Sequence, residues 1–159
     1  MKKALDHLSP YADKIVFKTS PEFNCRWKTS SVDSVFKAAM AEKSFLRMTE
    51  IYDSVYSSPH WLKGIARSNL GAVYLEREEF GAAERLFRQA AEIFSEAISP
   101  EDLNTGIARI KLGRTLLRQK RWSEAEAESL AGYRILMNKM DPSVSWLQAA
   151  RRDLATSYE

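Results

Sequence analysis

From Val32 onward the apolar positions recur at helical spacing. Val32, Val35, Phe36, Ala39 and Met40, followed by Phe45, Met48, Ile51, Tyr52 and Val55, have helical spacing with Ser31 as N-cap and hold the second helix of a degenerate repeat, whose first helix is not recognisable at Lys28 to Val35. Further helices are expected from about Pro59 to Arg77, Ala82 to Ile98, Pro100 to Lys120 and Glu124 to Met140. Their apolar stripes include Ala83, Phe87, Ala90, Ile93 and Phe94, then Ala125, Leu130, Tyr133, Ile135 and Leu136. No strand is needed anywhere. Residues 1–31 differ, because Pro10, Pro21 and the Thr19-Ser20 and Thr29-Ser30-Ser31 clusters interrupt each apolar pattern before it completes three turns. They are read as an N-terminal cap or arm in which Phe17, Phe23 and Trp27 cover the first repeat.

The helices fall into a written repeat. Ile65-Ala66-Arg67-x-x-Leu70-Gly71 returns 42 residues later as Ile107-Ala108-Arg109-x-x-Leu112-Gly113. The same offset pairs Leu75 with Leu117, Phe80 with Trp122, Ala83-Glu84 with Ala125-Glu126, Ile93 with Ile135 and Pro100 with Pro142. A third copy begins at Ala150-Arg151-x-x-Leu154 and stops at Tyr158. Moved backwards, the offset sets Ala41, Phe45, Met48 and Ile51 under Ala83, Phe87, Ala90 and Ile93. The expected organisation is a degenerate repeat at 32–58, repeats at 59–99 and 100–141, and a partial repeat or capping helix at 142–159. Ser58-Pro59, Ser99-Pro100 and Asp141-Pro142 are expected to start first helices with the proline at the first helical position and the Ser or Asp as cap. Ser123 with Glu126 has capping-box spacing.

Leu70-Gly71-x-x-Tyr74 followed by Ala83-x-x-x-Phe87-x-x-Ala90 resembles the tetratricopeptide repeat. Small residues at 71, 83 and 90 let two helices approach, and Leu70, Tyr74 and Phe87 fill the spaces between them. The second copy keeps Leu112, Gly113 and Ala125, has Leu116 for the tyrosine and Ser129 for the phenylalanine, and so reads as a looser copy. Repeats of this family are usually about 34 residues long, so the 42-residue period resembles the extended, kinesin-light-chain-like type also found in bacterial signalling proteins. The resemblance implies an all-α, right-handed superhelix of antiparallel helix pairs. It also implies a non-enzymatic adaptor or sensor part that binds a protein or peptide segment in a concave groove lined by the first helices.

By the same resemblance, the groove-facing positions are Ile65, Asn69, Ala72 and Glu76, then Ile107, Lys111, Arg114 and Arg118. From Thr105 to Arg121 the chain carries six cations and no acid. At 100° per residue, Lys111, Arg114, Arg118 and Arg121 lie within roughly 80°, opposite the Ala108, Leu112 and Leu116 side. Such a stripe suits an acidic peptide or a C-terminal carboxylate, since guanidinium pairs bidentately with carboxylate. Asn69 and Lys111 match two positions of the family's carboxylate clamp, whereas Ile107 stands where a lysine belongs. The bland alternative is a solvated basic face.

Composition narrows the remaining choices. A 159-residue chain that is 45% apolar can bury a sizeable core. Charges interrupt every apolar run, so no membrane span is expected, and Met1-Lys2-Lys3-Ala4-Leu5-Asp6-His7 lacks the apolar stretch of a signal peptide. The expected address is cytoplasmic. Cys25 has no partner for a disulfide, and His7 and His60 lie far apart with no ligand spacing, so no metal site is expected. Catalysis and cofactors are not expected either: no nucleophile stands beside a histidine, there is no glycine loop, and Glu124, Glu126 and Glu128 face different ways. A nucleic-acid reading would use the same arginines with Trp61 and Trp122 as stacking platforms. It is set aside because net charge is only +3 and Trp122 aligns with Phe80 at a turn position expected to pack between helices. The rival to a recognition module is a structural scaffold whose groove is self-occupied, or a homodimer joined through an open Ala150, Leu154 and Tyr158 face.

Overall fold

The computed structural model describes residues 32–139 and 145–157, and among them all regular structure is helical. The helices are α1 (Val32–Val55), α2 (Trp61–Glu76), α3 (Phe80–Ala97), α4 (Leu103–Arg118), α5 (Trp122–Met137) and α6 (Ser145–Ser157). From α2 onward each helix packs against the next, and the first helices of successive pairs also touch, α2 with α4 and α4 with α6. The architecture is an all-α helical repeat of antiparallel pairs. No described helix is long and apolar enough to cross a membrane. The expected lid of Phe17, Phe23 and Trp27, the Ser31 cap, the Asp141-Pro142 start and Tyr158 lie outside the described residues.

The 42-residue offset governs the helix ends, but not through the residues expected. The N-caps of α2 and α4 are His60 and Asp102, which accept from the Leu62 and Asn104 amides at 3.3 and 2.8 Å. Pro59 and Pro100 therefore precede the caps instead of opening the helices. Pro100 occupies the second position of a tight turn closed by the Asp102 amide on the Ser99 carbonyl, 3.0 Å, a place that suits its fixed φ. The capping-box reading of Ser123 also fails: α5 starts at Trp122, and its N-cap is Arg121, without a side-chain cap. Both α2 and α4 end instead in a left-handed residue, Glu78 (φ 62°) and Lys120 (φ 63°). In each, two carbonyls of the last turn are satisfied. Glu78 N and Glu79 N donate to Leu75 O and Tyr74 O, and Lys120 N and Arg121 N donate to Leu117 O and Leu116 O.

Packing within the pairs follows from small residues at the crossing points. A methyl group at Gly64 or Gly71 would meet the ring of Phe94 at 2.7 Å or of Phe87 at 2.9 Å, so phenylalanine rings fill the gap between α2 and α3. On α4, Gly106 likewise faces side chains, those of Leu136 and Ile135, but Gly113 and its α5 neighbour Gly132 behave differently. A methyl group at Gly113 would overlap Ser129 Oγ and lie 2.9 Å from the Ser129 amide and 3.0 Å from the Ala125 carbonyl, while one at Gly132 would lie 2.5 Å from the Gly106 carbonyl. Replacing phenylalanine by Ser129, which is 2% exposed, thus brings the α4 and α5 backbones together. The copy that departs further from the family pattern is thus the one whose helix backbones approach each other directly. Leu112, Leu116, Ala83, Phe87 and Ala125 form one core cluster, and Ile110, Ile135, Leu136, Leu147 and Ala150 another.

The flanking helices differ in their anchorage. On α6, Leu147 and Ala150 are 0% exposed against Ile110, Ile135 and Leu136, and Leu154 is half-buried. The open apolar face expected for Ala150 is therefore already covered within the chain. On α1, by contrast, none of the residues from 39 to 55 is buried: Phe45, Met48, Ile51 and Tyr52 are half-buried, and Met40, Leu46 and Val55 are exposed. The equivalents on α3 include the fully buried Phe87 and Phe94, each worth about 2–3 kcal/mol of apolar burial. Residues 39–55 of α1 lack that contribution.

Polar ties between successive repeats also recur. Arg77 at the end of α2 donates to Glu42 on α1 at 2.5 Å, and its counterpart Gln119 at the end of α4 donates to Glu84 on α3 at 2.9 Å. Glu84 further accepts from Arg88 at 2.9 Å and Arg121 at 2.7 Å, and Arg121 also reaches Glu124 at 2.6 Å.

Candidate functional site

Helices α2, α4 and α6 lie side by side, which places equivalent residues of successive repeats in rows. One row is Asn69, Lys111 and Asp153, at successive 42-residue steps. Lys111 reaches back to α2: its Nζ donates to the Ser68 hydroxyl at 2.9 Å and stands 5.8 Å from the centroid of the Phe87 ring. Arg114 reaches forward to α6, where its Nε and Nη2 both lie 2.9 Å from Asp153 Oδ2. The middle helix thus clasps both neighbours with its two central cations.

The remaining expected positions divide by environment. Ile65 and Ile107 are half-buried and packed on the clusters around Phe94 and Leu136, so they act mainly as packing residues. Ala72 is half-buried against the Phe87 cluster. Asn69 is half-buried and has no hydrogen-bond partner among the described residues. Glu76 and Arg118, the last residues of α2 and α4, are exposed. Arg118 has no ion-pair partner among the described residues and sits in the last turn of α4, where the carbonyl dipoles favour a cation. Arg121, counted in the stripe from sequence, turns away to Glu84 and Glu124. Its basicity is raised by the hydrogen bond to Glu124 first and then by that to Glu84.

Electrostatically the face is mixed. Asp153 neutralises Arg114, and the uniformly basic stripe read from α4 alone becomes a row of alternating amide, ammonium and carboxylate. Ser68 and Asp153 were not among the expected site residues. The repeat offset already sets Asp153 level with Asn69 and Lys111, a signal that α4 read by itself conceals. Trp122, expected to pack between helices, is 47% exposed, as is Trp61 at 45%.

A second, smaller feature lies between α3 and α5. Arg88, Ala91, Glu92 and Ser95 line it from α3, Arg109 and Leu112 from α4, and Glu128 from α5. Arg109 donates to Glu128 at 3.0 Å across one wall. Its charges are internally matched.

With this geometry in view, residues 62–137 match the family model described as tetratricopeptide repeat. No curated protein matches the chain. The match spans α2 to α5, the two pairs whose crossings are built on Gly64, Gly71, Gly106 and Gly113. Repeats of this family generally mediate protein–protein interactions.

Proposed function

We propose that the face formed by α2, α4 and α6 binds a peptide or protein segment, and that the chain serves as an adaptor or sensing part of a signalling system. One observation carries this reading. Cations with no task on a helix surface extend into water, whereas Lys111 and Arg114 are held across helix boundaries by Ser68 and Asp153. Side chains fixed in advance lose less rotamer freedom when a ligand arrives, which is how a recognition surface gains affinity. The ligand suited to this row offers an acidic group toward Lys111 and Arg118 and a hydrogen-bonding group toward Asn69. A uniformly acidic segment is a poorer match, because it would meet Asp153 and Glu76.

Affinity capture from the native host followed by titration of the captured segment tests the proposal. Three chains are compared: wild type, Asn69→Ala with Arg118→Glu, and the α3 control Arg85→Glu. The site pair should weaken the segment's binding at least tenfold while lowering the melting temperature by no more than the few degrees that reversing a cation at the end of α4 costs, and the control should not weaken binding. Equal binding by all three would overturn the groove reading.

A further inference from the structure

We infer that residues 39–55 of α1 form a detachable segment, held on α2 by ion pairs over half-buried apolar side chains and by no fully buried one, and that its release uncovers a basic and aromatic strip on α2 suited to an acidic amphipathic helix. This surface is separate from the α2–α4–α6 face, and the inference stands whether or not that face binds a peptide.

Lys63, Arg67, Tyr74 and Arg77 project from α2 within about 80° of one another. Against this strip α1 sets two acids, Glu42 and Asp53, which lie within about 20° on its own surface. Glu42 takes Arg77 at 2.5 Å and also the hydroxyl of Tyr74, whose pKa is raised by burial first and by this bond second. Asp53 takes Arg67 Nη2 through both carboxylate oxygens, at 2.9 and 3.1 Å, with Lys63 at 3.8 Å. Tyr56, just past the end of α1, stacks on His60 with ring centroids 3.7 Å apart and planes 4° from parallel.

What distinguishes residues 39–55 of α1 is that the apolar side chains beneath these ties, Phe45, Met48, Ile51 and Tyr52, are only half-buried. Each of α2 to α6 carries fully buried apolar side chains, and α1 has none from residue 39 onward. Where α3 presents the small Ala90 to its neighbours, α1 has the bulkier Met48, which limits the closeness of approach. Partly exposed ion pairs are weakened by salt, while apolar burial is not. Helix α1 is therefore the element most sensitive to ionic strength, and a helix bearing two suitably spaced acids can compete for its place.

Amide hydrogen exchange on the full chain provides the test. Raising sodium chloride should remove protection from residues 39–55 and leave α4 and α5 protected. The double variant Glu42→Gln with Asp53→Asn should show that loss already at low salt, and Glu42→Arg combined with Arg77→Glu should restore protection relative to either single exchange. Salt-independent exchange in α1, or loss of α4 protection in step with α1, would overturn detachment. For the strip, a fluorescent peptide of residues 39–56 added in trans should bind the double variant several-fold more tightly than wild type, whose own α1 occupies the site. Equal affinity for the two proteins would overturn the strip as a docking surface.

Discussion

Glu78 and Lys120, 42 residues apart, adopt the same left-handed backbone, with φ of 62° and 63°. Each reverses the chain between the two helices of a pair, at a position where glycine is the usual occupant. A side chain in this conformation costs roughly 1–2 kcal/mol relative to its preferred region. Both are exposed or nearly so, and neither bears the cap hydrogen bonds through its side chain. Glu78→Gly and Lys120→Gly should each stabilise the fold by about 1 kcal/mol, measurable by urea titration with an unchanged slope.

The glycines make opposite predictions according to their surroundings. Gly81 lies in the first turn of α3 with a negative φ, and a methyl group there would meet nothing within 4 Å. Gly81→Ala should therefore gain about 0.5–1 kcal/mol from reduced unfolded-state freedom. Gly113→Ala drives a methyl group into the Ser129 and Ala125 backbone and should cost about 2–3 kcal/mol. Gly71→Ala meets only a ring edge and should fall between the two. Chemical denaturation of the three variants checks the order, and a Gly113→Ala protein as stable as wild type would contradict the close approach of α4 and α5.

The cluster around Glu84 sets an acid-side limit on stability. Burial by itself would raise the Glu84 pKa, but hydrogen bonds from Gln119, Arg88 and Arg121 outweigh it and hold the carboxyl below its usual 4.5. Glu124 is likewise lowered, first by its hydrogen bond from Arg121. A carboxyl whose folded pKa is depressed contributes stability that is complete above the unfolded value and lost as pH falls through the folded one. Melting temperature should consequently decline below about pH 4.5. Glu84→Gln should lower it at neutral pH and flatten that decline. A Gln variant with the full wild-type slope would place the acid sensitivity elsewhere.

Periodicity and the repeated Ile-Ala-Arg-x-x-Leu-Gly words made the helical array legible, because core packing of paired helices writes itself directly into spacing. Leu70, Leu112, Ala83 and Phe87 are all buried as that pattern requires. Helix starts were less legible. The prolines and Ser123 had good local credentials at the starts, yet His60 and Asp102 cap α2 and α4 and α5 begins at Trp122 without a side-chain cap, whereas α2 and α4 end close to Arg77 and Lys120 as read. The site was legible only in part for a related reason. The charge of Lys111 and Arg114 is written in α4, but what it is spent on is written in α2 and α6, at Ser68 and Asp153. Ser129 was legible only as a departure from the family pattern; that the partner backbone occupies the space of the missing ring is visible only in the packing.

The direct backbone contact of α4 with α5 also bears on how freely this sequence can vary. Around Gly64 and Gly71 a neighbouring ring can be traded for a smaller side chain when the glycine gains a methyl. At Gly113 and Gly132 no such exchange exists, since the obstacle includes main chain that no substitution can shrink. A randomised library selected for folding should return almost only glycine at these two sites, and wider variety at the phenylalanine positions that face Gly64 and Gly71.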